Sequence, residues 1–161
     1  MASPPRPAHR RRPSTGKPFP TQRIDHRLAP QARLAAILED IEAAYKWVYQ
    51  EGNTLFGIDP DRIAIVGHSS GGYLTLMAGI RLSPRPRALV SFYGFGNMTG
   101  DWTVKPSSSY LLMAGALERH GIAHQLITHA EWEHLFDLTQ AGHPRVEEAL
   151  DGVVSFLQEH L

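Results

Sequence analysis

The stretch IAIVGHSSGGYLTLMAG, residues 63–79, holds the residues whose types and spacing most directly indicate chemistry. Its centre, Gly67-His68-Ser69-Ser70-Gly71, fits the pattern Gly-x-Ser-x-Gly with Ser69 in the middle. A serine hydroxyl raised on a sharp turn between a strand and a helix is a nucleophile that attacks acyl carbonyl groups. A five-residue pattern also occurs by chance, so its value depends on the elements on either side of it.

The segments that flank Ser69 fit such a turn. Residues 62–66 predict a strand covered on both faces, as in a parallel sheet, because the four residues after Arg62 are all apolar. Residues 73–82 predict a helix that ends before Pro84. The alternatives are a Gly-rich turn without chemistry and a phosphate-binding loop, and the lysine that a P-loop requires is missing here.

The predicted turn makes specific demands on its backbone. We expect that a Cβ atom at Gly67 or Gly71 would clash with neighbouring backbone atoms. We expect Ser69 itself to be strained, with its hydroxyl reachable from solvent. The N–H of Ser70, at the start of the helix, is then the expected donor to a developing oxyanion.

The rest of the chain alternates predicted strands and helices, which indicates an α/β fold: a mostly parallel sheet with helices on both faces. The predicted strands are residues 21–29, 62–66, 88–94 and 123–130. Besides the helix over residues 73–82, three more helices are predicted. The first begins at Leu34 and is ended by Gly52, the second covers residues 110–120, and the third lies at the C-terminal end. The buried stripe predicted for this last helix is Val146, Ala149, Leu150, Val153 and Leu157. Residues 57–62 predict a turn and residues 94–109 a loop.

Composition narrows the function classes. The chain has 161 residues, of which 42% are hydrophobic, so it suffices for one globular domain. A formal net charge of zero favours neither a nucleic acid partner nor a membrane surface. The absence of cysteine excludes disulfides, thiolate metal sites and a cysteine nucleophile. No apolar run reaches the roughly 18 residues of a membrane span, and no apolar leader segment is visible, so a cytoplasmic location is expected.

The N-terminal region has a composition of its own. Eight of the 16 lysines and arginines lie in residues 1–33, against the single acid Asp25, and six of the 12 prolines lie in residues 1–20. This predicts a disordered, basic, Pro-rich tail over residues 1–21, followed by the folded domain over residues 22–161. An organelle transit peptide is the alternative, and it is disfavoured because prolines would break its amphipathic helix.

Several motifs together carry a resemblance to a known family. Arg27-Leu28-Ala29-Pro30, Glu39-Asp40, the turn at 57–62 and the segment Gly67 to Gly72 follow in the order and spacing of one group of enzymes. The chain resembles the α/β-hydrolases, in the branch of hormone-sensitive-lipase-like esterases. The resemblance covers residues 22–102 and resumes at about residue 110. The segment GGYLTLMAG is also similar to prolyl-oligopeptidase-type peptidases.

The resemblance implies a catalytic triad in the chain order serine, acid, histidine. It makes Ser69 the nucleophile, His134 in EWEHLFD the base, and the N–H of Ser70 an oxyanion donor. Asp101, in the loop after the predicted strand 88–94, is the candidate substitute for the acid. The alternative is a loop carboxylate without this role, because family members that have the usual acid also carry Gly-Asp-Trp here. Three carboxylates near His134 in sequence are expected to be solvated: Glu131, Glu133 and Asp137.

Two segments that the resemblance implies are absent from the chain. The H-G-G-G segment, whose N–H groups complete the oxyanion hole, has no counterpart in residues 1–26. Only seven residues separate Trp102 from Tyr110, too few for an acid-bearing strand and its crossover. The chain therefore resembles a truncated family member without the first three strands and the seventh. Sheet edges left open by these gaps predict self-association.

The other histidines could indicate a metal site, but the spacing between them disfavours one. His120 and His124 are separated by Gly121, which breaks the helix and with it the facing of i and i+4 positions. His68 is expected to fill the turn rather than to act as a base. We predict neither a metal nor a cofactor.

The resemblance implies hydrolysis of small carboxylic esters, with impaired activity because of the missing segments. Two alternatives stay open. One is hydrolysis of peptides near proline, as in prolyl-oligopeptidase-type enzymes. The other is a non-catalytic remnant that acts as an interaction module.

Overall fold

The computed structural model describes residues 19–94, 106–129 and 131–161, without the side chains of 106–109. Most of the predicted tail lies outside these ranges. The helices and strands, in chain order, are α1 (Leu34–Phe56), β1 (Ala64–His68), α2 (Ser70–Arg81), β2 (Ala88–Phe92), α3 (Pro106–Arg119), α4 (Phe136–Thr139) and α5 (Pro144–His160). A short 3-10 turn, Pro60–Arg62, precedes β1 at the turn predicted for residues 57–62.

A parallel pair of strands lies at the centre of the fold. β1 and β2 pair in register from Ala64 opposite Ala88 to His68 opposite Phe92. Helix α2 connects the two strands and packs against both, while α5 packs against β2. The predicted α/β architecture with a parallel sheet is confirmed. Of the four predicted strands, however, only two form within the described residues.

The strand predicted over residues 21–29 is wrong, because this segment binds a helix instead of a sheet. The backbone N–H of Arg27 donates to Asp40 Oδ2 at 2.9 Å. The Arg27 guanidinium donates two hydrogen bonds to the same carboxylate, from Nη2 to Oδ1 at 2.7 Å and from Nε to Oδ2 at 2.9 Å. These charge-assisted bonds fix the segment to α1, and because its residues are nearly all exposed, water can satisfy its other backbone groups.

The strand predicted over residues 123–130 is also wrong within its described part, residues 123–129. A cavity of about 820 Å³ lies between this segment and β2. Leu89 and Val90 line one side of the cavity, and Leu126 and Ile127 line the other. A strand needs a partner at hydrogen-bonding distance for its N–H and C=O groups, and within the described residues β2 pairs with β1 alone.

Helix α1 passes through the residues that were expected to end it. Its apolar face buries Ile37, Leu38, Ile41 and Tyr45, as the spacing predicts. The helix continues past Gly52 and ends at Gly57, a left-handed residue with φ 67° whose N–H donates to Asn53 O at 2.9 Å. Glycine adopts this conformation without strain and satisfies the last carbonyls of the helix, so Gly57 is the stop.

Two further helix boundaries differ from those predicted. Helix α3 begins at Pro106, inside the predicted loop over residues 94–109, and proline suits a first helical position because its φ is already helical. Helix α2 begins at Ser70, three residues earlier than predicted, so no loop separates it from Ser69.

The core lies mainly between α1, α2 and the start of β1. Its buried apolar members are Ile37, Leu38, Ile41, Tyr45, Ile58, Ile63, Leu74, Ala78 and Leu82. Helix α5 buries Val146, Ala149 and Leu157, three of the five residues predicted for its stripe. Across residues 19–94, 106–129 and 131–161, no helix combines the length and apolar character needed to span a membrane.

The ion pair between Arg27 and Asp40 predicts a pH-dependent stability. The hydrogen bond from the Arg27 side chain lowers the pKa of Asp40 from 3.8 to about 2. Because the folded-state pKa is the lower one, the carboxylate stabilises the fold above its ordinary pKa, and this contribution is lost as the pH falls towards 2. We expect Asp40→Asn to lower the melting temperature slightly at neutral pH and to have a smaller effect at pH 2, measured by circular dichroism.

The matched control is Asp151→Asn, which removes an exposed carboxylate from α5. It should leave the melting temperature unchanged at both pH values. An equal loss of stability from Asp40→Asn at neutral pH and at pH 2 would show that the ion pair is not its cause.

The sheet edges predict self-association. Within the described residues, β1 and β2 pair only with each other, so each has one edge without a strand partner. Such edges present rows of N–H and C=O groups that pair with other chains. We expect the sedimentation coefficient to rise with protein concentration. A monomer at every concentration, with uniformly strong amide protection in hydrogen exchange, would contradict this expectation.

Candidate functional site

Ser69 occupies a strained turn between β1 and α2. Its backbone has φ 54° and ψ −119°, outside the regions that residues with a Cβ normally adopt, at a cost of about 1–3 kcal/mol. Its N–H donates to Phe92 O at 3.0 Å, which fixes the turn to the end of β2. The residue is half-buried, so its hydroxyl lies at the surface of the fold. The strained turn that the Gly-x-Ser-x-Gly pattern predicts is confirmed.

Close backbone contacts around the turn require glycine at two positions. A Cβ on Gly67 would lie 2.1 Å from Gly71 O and 2.5 Å from Thr75 Oγ1. A Cβ on Gly72 would lie 2.8 Å from Gly94 Cα. The clash predicted at Gly67 is therefore confirmed. The clash predicted at Gly71 is wrong, because a Cβ there would meet nothing within 4 Å, and Gly72 is the second position that needs glycine.

The structure brings His134 to Ser69 across 65 residues of sequence. The His134 Nε2 atom lies 3.1 Å from Ser69 Oγ, which is hydrogen-bonding distance. His134 immediately precedes Leu135, which adopts a left-handed backbone with φ 65° and caps the N-terminus of the four-residue helix α4. The imidazole is exposed to solvent, so a small molecule can reach the hydroxyl and the ring together.

The carboxylates near the site fall into three groups. Asp101 lies outside the described residues. Glu131 and Glu133 are exposed, as expected. The expectation for Asp137 is wrong, because its side chain is only 13% exposed. It accepts a hydrogen bond from Tyr93 Oη at 2.8 Å, since α4 turns it back towards the end of β2.

His68 does not merely fill the turn. As the last residue of β1, it stacks flat on Phe92, with 4.6 Å between ring centroids and 4° between ring planes. Its Nε2 atom lies 3.4 Å from Asp137 Oδ2. His68 therefore connects β1 to the segment that carries His134.

Tyr93 is the residue of the site that the sequence reasoning missed. It follows β2 directly, and its ring meets the His134 ring edge-on at 4.7 Å between centroids. Burial raises its pKa to about 12, with the Asp137 hydrogen bond as a second cause. The sequence position of Tyr93 could have indicated its place in the site, because residues that directly follow parallel strands lie together at one edge of the sheet. Tyr93 follows β2 as Ser69 follows β1.

Backbone strain and aromatic packing both concentrate at this edge. Among the described residues, positive φ outside glycine occurs at Ser69, Tyr93 and Leu135. Behind His134, Phe136 stacks on Trp132 at 4.4 Å and meets Tyr93 edge-on at 5.6 Å. Strained residues cluster where a function requires a fixed geometry, so the observed outliers point to this edge as the functional site.

The start of α2 supplies a hydrogen-bond donor. Ser70 is the first residue of α2, so its N–H has no acceptor within the helix. The positive end of the helix dipole lies at the same place and favours negative charge. In the part of the chain that the structure describes, no group of three or more His, Asp or Glu side chains is placed to hold a metal ion.

Comparisons with known proteins identify the family of the chain. A model of the family with the α/β-hydrolase fold matches residues 19–154. An ethyl acetate hydrolase of Pseudomonas putida is 34% identical over 109 residues, which are 62% of this chain and 33% of that protein. The carboxylic ester hydrolase LipN of Mycobacterium tuberculosis is 42% identical over 52 residues, 32% of this chain and 14% of LipN.

A human relative, arylacetamide deacetylase-like 2, is 50% identical over 52 residues, which are 32% of this chain and 13% of that protein. The matched stretches thus span at most about a third of these relatives. The family match, in contrast, covers most of the chain. The chain belongs to the family of proteins with the α/β-hydrolase fold.

Proposed function

We propose that this chain hydrolyses small carboxylic esters, with Ser69 as the nucleophile and His134 as the general base. The observation that carries the proposal is the 3.1 Å distance from His134 Nε2 to Ser69 Oγ on a strained strand-to-helix turn. A base within hydrogen-bonding reach of the nucleophile is the geometry that activates a serine. The names of the relatives, an ethyl acetate hydrolase and a carboxylic ester hydrolase, support this reaction class.

The first half of the reaction transfers the acyl group to the protein. Ser69 Oγ attacks the ester carbonyl carbon while its proton moves to His134 Nε2. The carbonyl oxygen becomes an oxyanion, and the N–H of Ser70 donates to it. As the tetrahedral intermediate collapses, the carbon–oxygen bond to the alcohol breaks, and His134 returns the proton to the departing alkoxide.

The second half releases the acid. A water molecule attacks the acyl carbon while its proton moves to His134 Nε2. Collapse of the second tetrahedral intermediate breaks the bond to Ser69 Oγ, which takes the proton back from His134. The products are one carboxylic acid and one alcohol, and the serine and the imidazole return to their starting states. Proton transfer by a positioned histidine contributes about 10²–10⁴-fold in rate.

The rate expected of this chain is low. In the serine proteases, loss of a working triad acid lowers turnover by about 10⁴-fold. Loss of one oxyanion donor lowers it by about 10²–10³-fold. Residues 1–26 contain no H-G-G-G segment, which leaves Ser70 as the proposed donor. The two losses act within one catalytic unit, so their product is an upper bound on the deficit.

Hydrolysis of p-nitrophenyl acetate tests the proposed pair. We expect slow turnover that Ser69→Ala and His134→Ala each reduce to the background rate. The double variant should be no slower than either single one, because the two residues act as a unit. Ser155→Ala, which removes a hydroxyl from α5 away from the site, should retain the native rate.

Two results would contradict this account of the rate. Turnover at an ordinary esterase rate, abolished by Ser69→Ala, would show that the deficit is overestimated. Slow turnover that survives both Ser69→Ala and His134→Ala would show that the pair does not carry the reaction.

The acid is tested by a separate variant. Asp101 is the proposed substitute for the missing triad acid; if it orients the imidazole of His134, Asp101→Asn should remove whatever hydrolysis of p-nitrophenyl acetate the chain retains. Asp151→Asn is the matched control on an exposed part of α5 and should have no effect. An Asp101→Asn variant with the native rate would eliminate Asp101 as the acid.

A further inference from the structure

The Asp137 carboxylate is enclosed at the site and has no part in the steps proposed above. Its side chain is 13% exposed, unlike the exposed carboxylates that precede it in sequence. One oxygen accepts a hydrogen bond from Tyr93 Oη at 2.8 Å. The other lies 3.4 Å from His68 Nε2. This carboxylate thus lies between a tyrosine hydroxyl and an imidazole that come from two different strand ends.

Tyr93 extends this contact to His134. Its hydroxyl is held by Asp137, while its ring lies edge-on to the imidazole at 4.7 Å between centroids and 65° between planes. On another side, the ring meets Phe136 at 5.6 Å. The Tyr93 backbone is itself fixed at a positive φ of 37°. The tyrosine is therefore held at its hydroxyl, its ring and its backbone.

His68 extends the contact to the turn that carries Ser69. It precedes Ser69 directly and stacks on Phe92 at 4.6 Å. Its distance to Asp137 links the end of β1 to α4. One carboxylate thus joins the three parts of the chain that must keep their relative positions: the end of β1, the residue after β2, and the helix that follows His134.

We propose that Asp137 is a positioning residue for the Ser69–His134 pair, which it aligns by holding Tyr93 against the imidazole and His68 against α4. The proposal rests on the function proposed above. Within the described residues no hydrogen bond joins Asp137 to His134, so Asp137 acts through Tyr93 and not as a direct partner of the ring. Since the pKa of Tyr93 is raised to about 12, its hydroxyl stays a donor to Asp137 at all pH values at which esters are assayed.

Three variants separate the parts of this arrangement. Tyr93→Phe keeps the ring but loses the hydrogen bond, Asp137→Asn keeps an acceptor oxygen but loses the charge, and Asp137→Ala loses both contacts. Because small misplacements of reacting groups reduce rates by up to about 10²-fold, we expect Asp137→Ala to lower kcat by about 10–100-fold with KM unchanged. Asp137→Asn should lower kcat by a smaller factor than Asp137→Ala.

Combining two substitutions shows whether Asp137 affects kcat through the Tyr93 hydroxyl. If Asp137 acts through the Tyr93 hydroxyl, Tyr93→Phe combined with Asp137→Asn should be little slower than the slower single variant. Fully additive losses would overturn the role of Tyr93. Tyr49→Phe on α1 and Asp151→Asn on α5 are the matched controls, and both should keep the native kcat.

A second readout does not depend on turnover. The ring nitrogen and proton signals of His134 in nuclear magnetic resonance, identified by their loss in His134→Gln, report the surroundings of the imidazole. We expect them to shift in Tyr93→Phe and Asp137→Asn and to stay in place in the two controls. If the native chain hydrolyses no ester, the proposed function fails, while these signals still decide whether Asp137 and Tyr93 position the ring.

Two results would overturn the proposal. One is a folded Asp137→Ala variant with native kcat. The other is a set of His134 signals that are the same in the native chain, Tyr93→Phe and Asp137→Asn. If Asp137→Ala does not fold, by circular dichroism, the two conservative variants carry the test.

Discussion

Close approach of the backbone at Gly67 and Gly72 is the constraint on which the rest of the site depends. A Cβ at Gly67 would lie 2.1 Å from Gly71 O, so any other residue would push α2 away from β1. Because both positions are glycine, α2 can begin directly after Ser69. That short connection forces Ser69 into its strained backbone and brings the positive end of α2 beside its hydroxyl.

The parallel pairing of β1 and β2 then determines what stands next to Ser69. Since both strands end at the same edge of the sheet, the residues after β2 lie beside the turn, and Phe92 O accepts the Ser69 N–H at 3.0 Å. Tyr93, Trp132 and Phe136 pack into one aromatic cluster behind His134. Each such pair contributes about 0.5–1.5 kcal/mol beyond its burial, which helps to offset about 1–3 kcal/mol of strain per outlying residue.

Local sequence patterns predicted the elements that depend on near neighbours. The apolar run before Gly67 and the glycines around Ser69 were enough to predict the strand, the turn and the start of a helix. The apolar spacing of α1 and α5 predicted their buried faces, because helical hydrogen bonds close within the element itself. The predicted end of helix α1 was wrong. Gly52 and Gly57 are the same residue type, and the sequence does not show that only Gly57 takes the left-handed backbone.

The features that the sequence did not predict depend on contacts with residues far away in the chain. Residues 21–29 and 123–129 were predicted as strands, but a strand also needs a neighbour, and the sequence of a segment does not show whether one is there. Asp137 resembles a solvated residue in sequence. Its enclosure depends on α4, which follows the left-handed Leu135 and carries the carboxylate towards Tyr93. His134, in contrast, was found through a motif, because the family resemblance supplies the long-range pairing that local patterns lack.

The central claim is that the fold holds a reactive serine hydroxyl at Ser69 beside the imidazole of His134. The most direct test is to treat the purified chain with a fluorophosphonate and to locate the adduct by peptide mass spectrometry. A fluorophosphonate reacts with a serine that a neighbouring base has activated. The account predicts a single adduct on Ser69 that is lost in His134→Ala, with the circular dichroism spectrum unchanged. No adduct on the folded native chain, or labelling of Ser69 that is equally fast without His134, would contradict it.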